Sequence, residues 1–200
     1  MDALEGSYRD YLEKTGPIDF DTYFDYNIYH TPFAGMAFQA HRTLCNIARP
    51  RKKAEIQASF EEKVFPSLTY ARKVGSTYGA SNFAGICSLV ATVPDLRAGA
   101  RVGFYAYGSG AIGEYYSALV CAEARETVAA MNIDKAMDAR RKVSVKEYET
   151  LEKLRETYIE NPNVVPDFTI ARNWYDEHYQ GKGYLVLKEV KDYYRTYIWS

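Results

Sequence analysis

The sequence predicts an α/β fold, and three observations carry that prediction. A short tyrosine-rich apolar run, Tyr23–Tyr29, reads as a strand. It ends in His30-Thr31-Pro32, after which Phe33, Met36, Ala37, Ala40, Leu44 and Ile47 recur at helical spacing until Arg49-Pro50 closes the segment. A second buried strand, Arg101–Tyr107, follows two further helical stretches and stops at Gly108-Ser109-Gly110. Apolar strands alternating with amphipathic helices make a sheet covered by helices.

The elements follow in order. Ser7–Lys14 suits a short helix, and Gly16-Pro17 a turn before the first strand. Thr31 is placed as the N-cap of the next helix, with Pro32 at its first position, where a missing N–H costs nothing. The basic link Arg49–Lys53 reads as a solvated entry to a helix over Lys53–Val64. Pro66 starts a new turn, and the small-residue run Val74–Ser81 opens a helix over Asn82–Val93. Pro94–Gly99 is a loop before the second strand. The continuous apolar pattern of Glu114–Cys121 leaves helix and strand both open. Glu123–Ala139 favours helix without clear ends. Ser144 and Glu147 form a capping-box pattern, which opens a helix that reaches Tyr158 and stops before Asn161-Pro162. A last strand, Gly183–Val190, extends toward Trp199.

Composition bounds the function classes. In 200 residues, 47% hydrophobic content is enough for a real core, so one domain over 1–200 is expected. A formal net charge of −1 argues against nonspecific nucleic-acid binding. No run approaches the roughly 18 apolar residues of a membrane span. The acidic start Met1–Gly6 is not a secretory signal, so a cytoplasmic protein with no membrane or nucleic-acid partner is expected. Three cysteines, Cys45, Cys87 and Cys121, are too few and too far apart for a disulfide framework or a zinc site, and each reads as a small buried hydrophobe. The 19 tyrosines suit half-buried strands and pocket walls.

Chemistry concentrates in three turns: His30-Thr31-Pro32, Gly75-Ser76-Thr77-Tyr78 and Tyr107-Gly108-Ser109-Gly110. A titratable ring at a strand-to-helix junction lies where α/β folds keep their sites. The Gly-Ser-Gly backbone can approach a ligand closely and point N–H groups at a carbonyl oxygen, although as a lone motif it reads first as a plain tight turn. His41 and His178 read as structural. No cysteine sits at a glycine-rich elbow, and no Ser/His/Asp set is readable. A histidine with an oxyanion turn is half of an active site.

Taken in order, these segments resemble a known family. Tyr26–Arg42 (YNIYHTPFAGMAFQAHR) is similar to the histidine segment of 3-hydroxy-3-methylglutaryl synthases, most of all the branch that acts on acyl carrier proteins in polyketide β-branching. Gly103–Leu119 (GFYAYGSGAIGEYYSAL) resembles that family's SYGSG strand-turn-strand, with Ala106 replacing the usual serine. Arg141–Leu151 resembles its late helix. The resemblance spans the whole chain. It implies a thiolase-like αβαβα fold, of which this is the C-terminal half, and it makes Glu114–Cys121 a strand.

The same resemblance implies an acyltransferase that needs an N-terminal half carrying a nucleophilic cysteine and a glutamate acid/base. The opening Met1 favours a split enzyme's subunit over a truncated synthase, and a dimer of the two-half assembly is expected. The implied reaction adds an acetyl-derived enolate to the β-keto carbon of a second thioester. His30 matches the histidine that hydrogen-bonds the acceptor's keto oxygen. Gly108, Ser109 and Gly110 match the thioester-binding turn, Tyr78 and Tyr107 match pocket tyrosines, and Ser76 and Phe33 join the substrate-binding set. No prosthetic group or metal is implied; substrates arrive on the phosphopantetheine of an acyl carrier protein, or on coenzyme A. Two departures stand out. Ser76 occupies the place of the family's asparagine, which leaves open a non-catalytic scaffold that docks carrier proteins. Gly35, Phe38 and Gln39 stand where coenzyme-A-using relatives tend to carry lysines, which favours carrier-bound substrates over a coenzyme-A-dependent synthase.

Overall fold

A computed structural model describes residues 2–169 and 172–200. They form two compact units, one up to Ala139 and one from Arg140 to Ser200.

The first unit is built on a three-stranded sheet. Strand β1 (Tyr26–Tyr29) pairs in parallel with β2 (Arg101–Gly108), which pairs antiparallel with β3 (Ile112–Leu119). The open question over Glu114–Cys121 is thus decided in favour of strand. Alternation along the strands splits the core in two. On one face, Tyr29, Tyr105 and Tyr115 pack with Leu4, Tyr8 and Tyr11 of α1 (Asp2–Thr15), with Ala37, Ala40 and Leu44 of α3 (Ala34–Ala48), and with Ile56 and Phe60 of α4 (Lys53–Lys63). On the other face, Ile28, Val102 and Phe104 pack with Leu89 of α6 (Ser81–Thr92). The remaining helices of this unit are short: α2 (Phe20–Tyr23), α5 (Thr69–Val74), α7 (Ala124–Ala130) and α8 (Ile133–Asp138).

Two close approaches hold these layers. A Cβ on Gly85 of α6 would lie 2.6 Å from Ile28 Cγ2, so the helix needs glycine to reach the sheet. A Cβ on Gly103 would collide with the Tyr115 hydroxyl and with Asn27 Oδ1, which are hydrogen-bonded to each other at 2.9 Å. Among the basic link residues, Arg51 is not solvated: its side chain is 2% exposed and its guanidinium donates to Asp21 at 2.6 Å.

Of the two histidines expected to be structural, His178 is half-buried and His41 lies in the core. His41 is fully buried, with Nδ1 3.0 Å from the Tyr29 hydroxyl and Nε2 2.9 Å from Ser59 Oγ. Burial, aided by the nearby positive charges of Arg51 and Lys63, pushes its pKa down to about 4. The cysteine reading needs one correction. Cys45 is buried and burial raises its thiol pKa to about 11, but Cys87 is only half-buried and Cys121 is exposed because it lies just beyond the end of β3.

In the second unit, α9 (Val145–Tyr158) opens on the expected capping box: Ser144 Oγ accepts the Glu147 N–H at 3.2 Å, and the Glu147 carboxylate accepts the Ser144 N–H at 2.7 Å. A helix, α10 (Arg172–His178), occupies a stretch read from sequence as lying near a loop. The expected single final strand is two: β4 (Leu185–Lys191) and β5 (Tyr194–Trp199) pair antiparallel. The chain reverses at Asp192 and Tyr193, both left-handed with φ of +48° and +67°, the geometry of a tight hairpin turn.

Candidate active site

Parallel pairing of β1 and β2 brings their carboxyl ends to one edge of the sheet. The His30 N–H donates to the Tyr105 carbonyl at 2.7 Å, which continues the ladder one residue past β1. Tyr107 lies two residues further along β2, and its ring centroid is 6.1 Å from that of His30. Together with Tyr105, His30 and Tyr107 line an open cavity of about 400 Å³, walled by Asp2 and Ala3 of α1, Pro32, Met36 and Ala40 of the α3 segment, and Ala111 after the Gly-Ser-Gly turn.

The corner after His30 differs from the N-cap expectation. Thr31 is buried and its hydroxyl donates backwards to the Tyr29 carbonyl at 2.6 Å. The cap position falls to Phe33, which is extended and makes no side-chain cap, and α3 begins only at Ala34. Thr31 is spent on anchoring the corner, so Pro32 precedes the helix instead of opening it.

The element that touches the imidazole is α6. Its first residue, Ser81, is 3% exposed; its Oγ lies 3.0 Å from His30 Nδ1 and accepts the Thr31 N–H at 3.3 Å. The next residue, Asn82, donates from Nδ2 to the Tyr105 carbonyl at 3.1 Å. One carbonyl therefore ties the site strand to both β1 and α6. Burial lowers the His30 pKa, and the positive end of α6 beside the ring acts in the same direction. A neutral imidazole at neutral pH follows. Neither Ser81 nor Asn82 was among the site residues expected from sequence, where Ser81 ends the small-residue run and Asn82 opens the helix. Neither caps: the N-cap of α6 is Ala80.

None of the other expected site residues lines this cavity. Gly108, Ser109 and Gly110 are exposed in the hairpin between β2 and β3, with Gly110 left-handed at φ +79°. Ser76 is exposed, and Tyr78, at 83% exposure, precedes Ser81 by three residues in a left-handed conformation with φ +50°. Phe33 is 61% exposed. Within this chain, then, His30 and Tyr107 meet, and the rest present open surface. No group of three or more His, Cys, Asp or Glu side chains among the described residues is placed to hold a metal ion. None of the described helices is long and apolar enough to cross a membrane.

The family profile described as hydroxymethylglutaryl-coenzyme A synthase C terminal matches residues 41–198. The chain belongs to this synthase family. Its sequence is 31% identical over its full length to the polyketide biosynthesis 3-hydroxy-3-methylglutaryl-ACP synthase PksG of Bacillus subtilis (strain 168), of which it covers 47%. The curacin biosynthetic pathway HMG synthase superposes with a TM-score of 0.90 at 33% identity, over 100% of this chain and 50% of that one. That synthase has also been crystallised with a holo donor-ACP. MvaS in complex with 3-hydroxy-3-methylglutaryl coenzyme A superposes less well, with a TM-score of 0.75 at 26% identity over 98% of this chain and 48% of that one. The fold is therefore that of the C-terminal half of a thiolase-like HMG synthase, nearer to the polyketide enzymes than to MvaS. The chain spans about half the length of the relatives it matches.

Proposed function

We propose that this chain supplies the acceptor side of a condensation in which an acetyl-derived enolate adds to the β-keto carbon of a β-ketoacyl thioester carried by an acyl carrier protein. The nucleophilic cysteine that holds the acetyl group, and the glutamate acid/base, come from the N-terminal half of the synthase, and the working assembly is a dimer of the joined halves in the cytoplasm. As the new carbon–carbon bond forms, the keto π electrons move onto oxygen. A hydrogen-bond donor at that oxygen stabilises the developing charge more than it stabilises the ketone.

The observation that carries this reading is the His30 ring. It is neutral, partly desolvated and held in a cavity at the carboxyl edge of the sheet, facing Tyr107. A neutral imidazole can donate from one nitrogen while the other accepts. In this reading the backbone around Gly108, Ser109 and Gly110 receives the thioester, and Ser76, Tyr78, Tyr107 and Phe33 form the acceptor's surroundings once the other half is in place. Ser76, shorter than the family's asparagine and with one hydroxyl in place of an amide, changes how the acceptor is held.

Carrier-bound substrate is favoured by the α3 segment. Phe38 packs its ring edge-on against Phe60 at 5.2 Å, and Gly35 has no side chain, so neither offers a cation to the phosphates of coenzyme A.

The test combines His30→Ala with the N-terminal half. Acetyl loading on the partner's cysteine should persist, while condensation with a carrier-bound β-ketoacyl acceptor should fall by at least about a hundred-fold. Loss of both steps together, or acetyl transfer to Cys45, Cys87 or Cys121 of this chain, contradicts the assignment.

A further inference from the structure

We infer that Ser81 is a positioning residue that fixes His30 as the Nε2–H tautomer, so that the ring's single proton faces the cavity. The inference deepens the function proposed above and rests on it for its relevance to condensation. Its structural basis is independent.

The argument is a count of donors and acceptors. A serine hydroxyl has one proton to give and two lone pairs to accept with. The Thr31 backbone N–H can only donate, so it occupies one lone pair of Ser81 Oγ. Ser81 is buried at the first position of α6, out of reach of bulk water. Among the described residues, the one acceptor recorded within hydrogen-bond distance of that hydroxyl is His30 Nδ1, at 3.0 Å. If Nδ1 carried the proton, Ser81 would accept twice and its own proton would be buried without a partner, at a cost of about 1–3 kcal/mol. The satisfied arrangement has Ser81 donating to an unprotonated Nδ1, which leaves the proton on Nε2.

The surrounding contacts make the arrangement rigid. The His30 and Thr31 N–H groups are both engaged, one with Tyr105 O and the other with Ser81 Oγ. Asn82 locks α6 to the same Tyr105 carbonyl. The imidazole therefore has its backbone held by β2 and its Nδ1 held by α6, and Nε2 has no protein partner among the described residues. A donor aimed in advance at the place where charge appears needs no reorganisation during the reaction. Ser81 achieves this without touching substrate.

The experiment reads the tautomer directly. The full chain is labelled with ¹⁵N-histidine, and long-range ¹H–¹⁵N correlations are recorded at pH 7.5, with His30 assigned by single substitution of His41 and of His178. The expected result is a protonated Nε2 and an unprotonated Nδ1 at His30. Ser81→Ala should give a mixture of tautomers, and Ser81→Thr, which keeps the hydroxyl, should restore the wild-type pattern. In the chain joined to the N-terminal half, Ser81→Ala should lower kcat for condensation on the order of ten-fold, with KM changed far less. A proton on Nδ1 in the wild type overturns the inference, and that result needs no variant to fold. So does a Ser81→Ala spectrum identical to wild type. If the wild type shows the expected tautomer but no condensation, the Ser81 assignment stands and the proposed function falls.

Discussion

Acid should weaken this fold through one buried ring, and the size of the effect follows from the structure. His41 is fully buried between Tyr29 and Ser59, and its pKa sits at about 4 against an ordinary value of 6.5. Desolvation is the main cause, with Arg51 and Lys63 adding repulsion and Asp21 opposing it. Because the folded pKa is the lower one, the unfolded chain binds the extra proton between about pH 6.5 and pH 4. Stability contributed by neutral His41 is therefore complete above pH 6.5 and is lost as the pH falls through that window. Integrated over it, the loss approaches about 3 kcal/mol, of which about 2 kcal/mol falls between pH 7 and pH 5. Urea unfolding of the chain at these two pH values measures it. His41→Gln keeps a polar head that can donate and accept but cannot take up a proton. Its stability is lower at pH 7, and its change between pH 7 and 5 is smaller than wild type by about 2 kcal/mol. Equal changes in the two proteins, or an NMR titration of His41 near its ordinary pKa, refute the reasoning.

Two further perturbations test the packing that carries the site. Gly85→Ala puts a methyl group 2.6 Å from Ile28 Cγ2, so it should destabilise the chain by about 1–3 kcal/mol in urea melts despite alanine's better helix propensity. It should also reduce condensation, because α6 carries Ser81 to His30. Asp21→Ala leaves the Arg51 guanidinium buried without its carboxylate, and thermal or urea unfolding should register a loss on the order of 3 kcal/mol; Arg51→Met alongside it should recover part of that loss.

Much of the fold was legible because local pattern and global packing agree in it. Met36 through Ile47 keep one helical face, Ser144 and Glu147 close their own cap, and the strand from Arg101 ends just before the turn at Ser109-Gly110. Where the two disagree, the sequence misleads. The hairpin at Asp192-Tyr193 has no glycine or asparagine to mark it, so β4 and β5 read as one strand. Helix α10 has little helix propensity in Asn173-Trp174-Tyr175-Asp176; stacking of Tyr175 on Phe168 at 4.7 Å and on Tyr179 at 5.9 Å supports it. Thr31 has the right chemistry for a cap, but its hydroxyl found the Tyr29 carbonyl first.

The candidate site divides in the same way. His30 could be found because a polar ring ends an apolar strand, and Tyr107 because it precedes Gly108-Ser109-Gly110. Ser81 could not, since its partner is 51 positions away in sequence and a serine at a helix start has a commoner explanation. The remaining turn residues, Ser76 and Tyr78 among them, are exposed in this chain, as surfaces that await the other half of a synthase would be.

The central claim is that this chain presents a carrier-bound ketone to an enolate held by another half. Single-turnover mass spectrometry tests it most directly: the N-terminal half, loaded with acetyl on its cysteine, is mixed with a β-ketoacyl carrier protein, with and without this chain. The account predicts a carrier-bound 3-hydroxy-3-methylglutaryl-type product only when this chain is present, and little or none with acetoacetyl-CoA as the acceptor. Product formed equally well without the chain, or formed from the coenzyme A thioester alone, would contradict it.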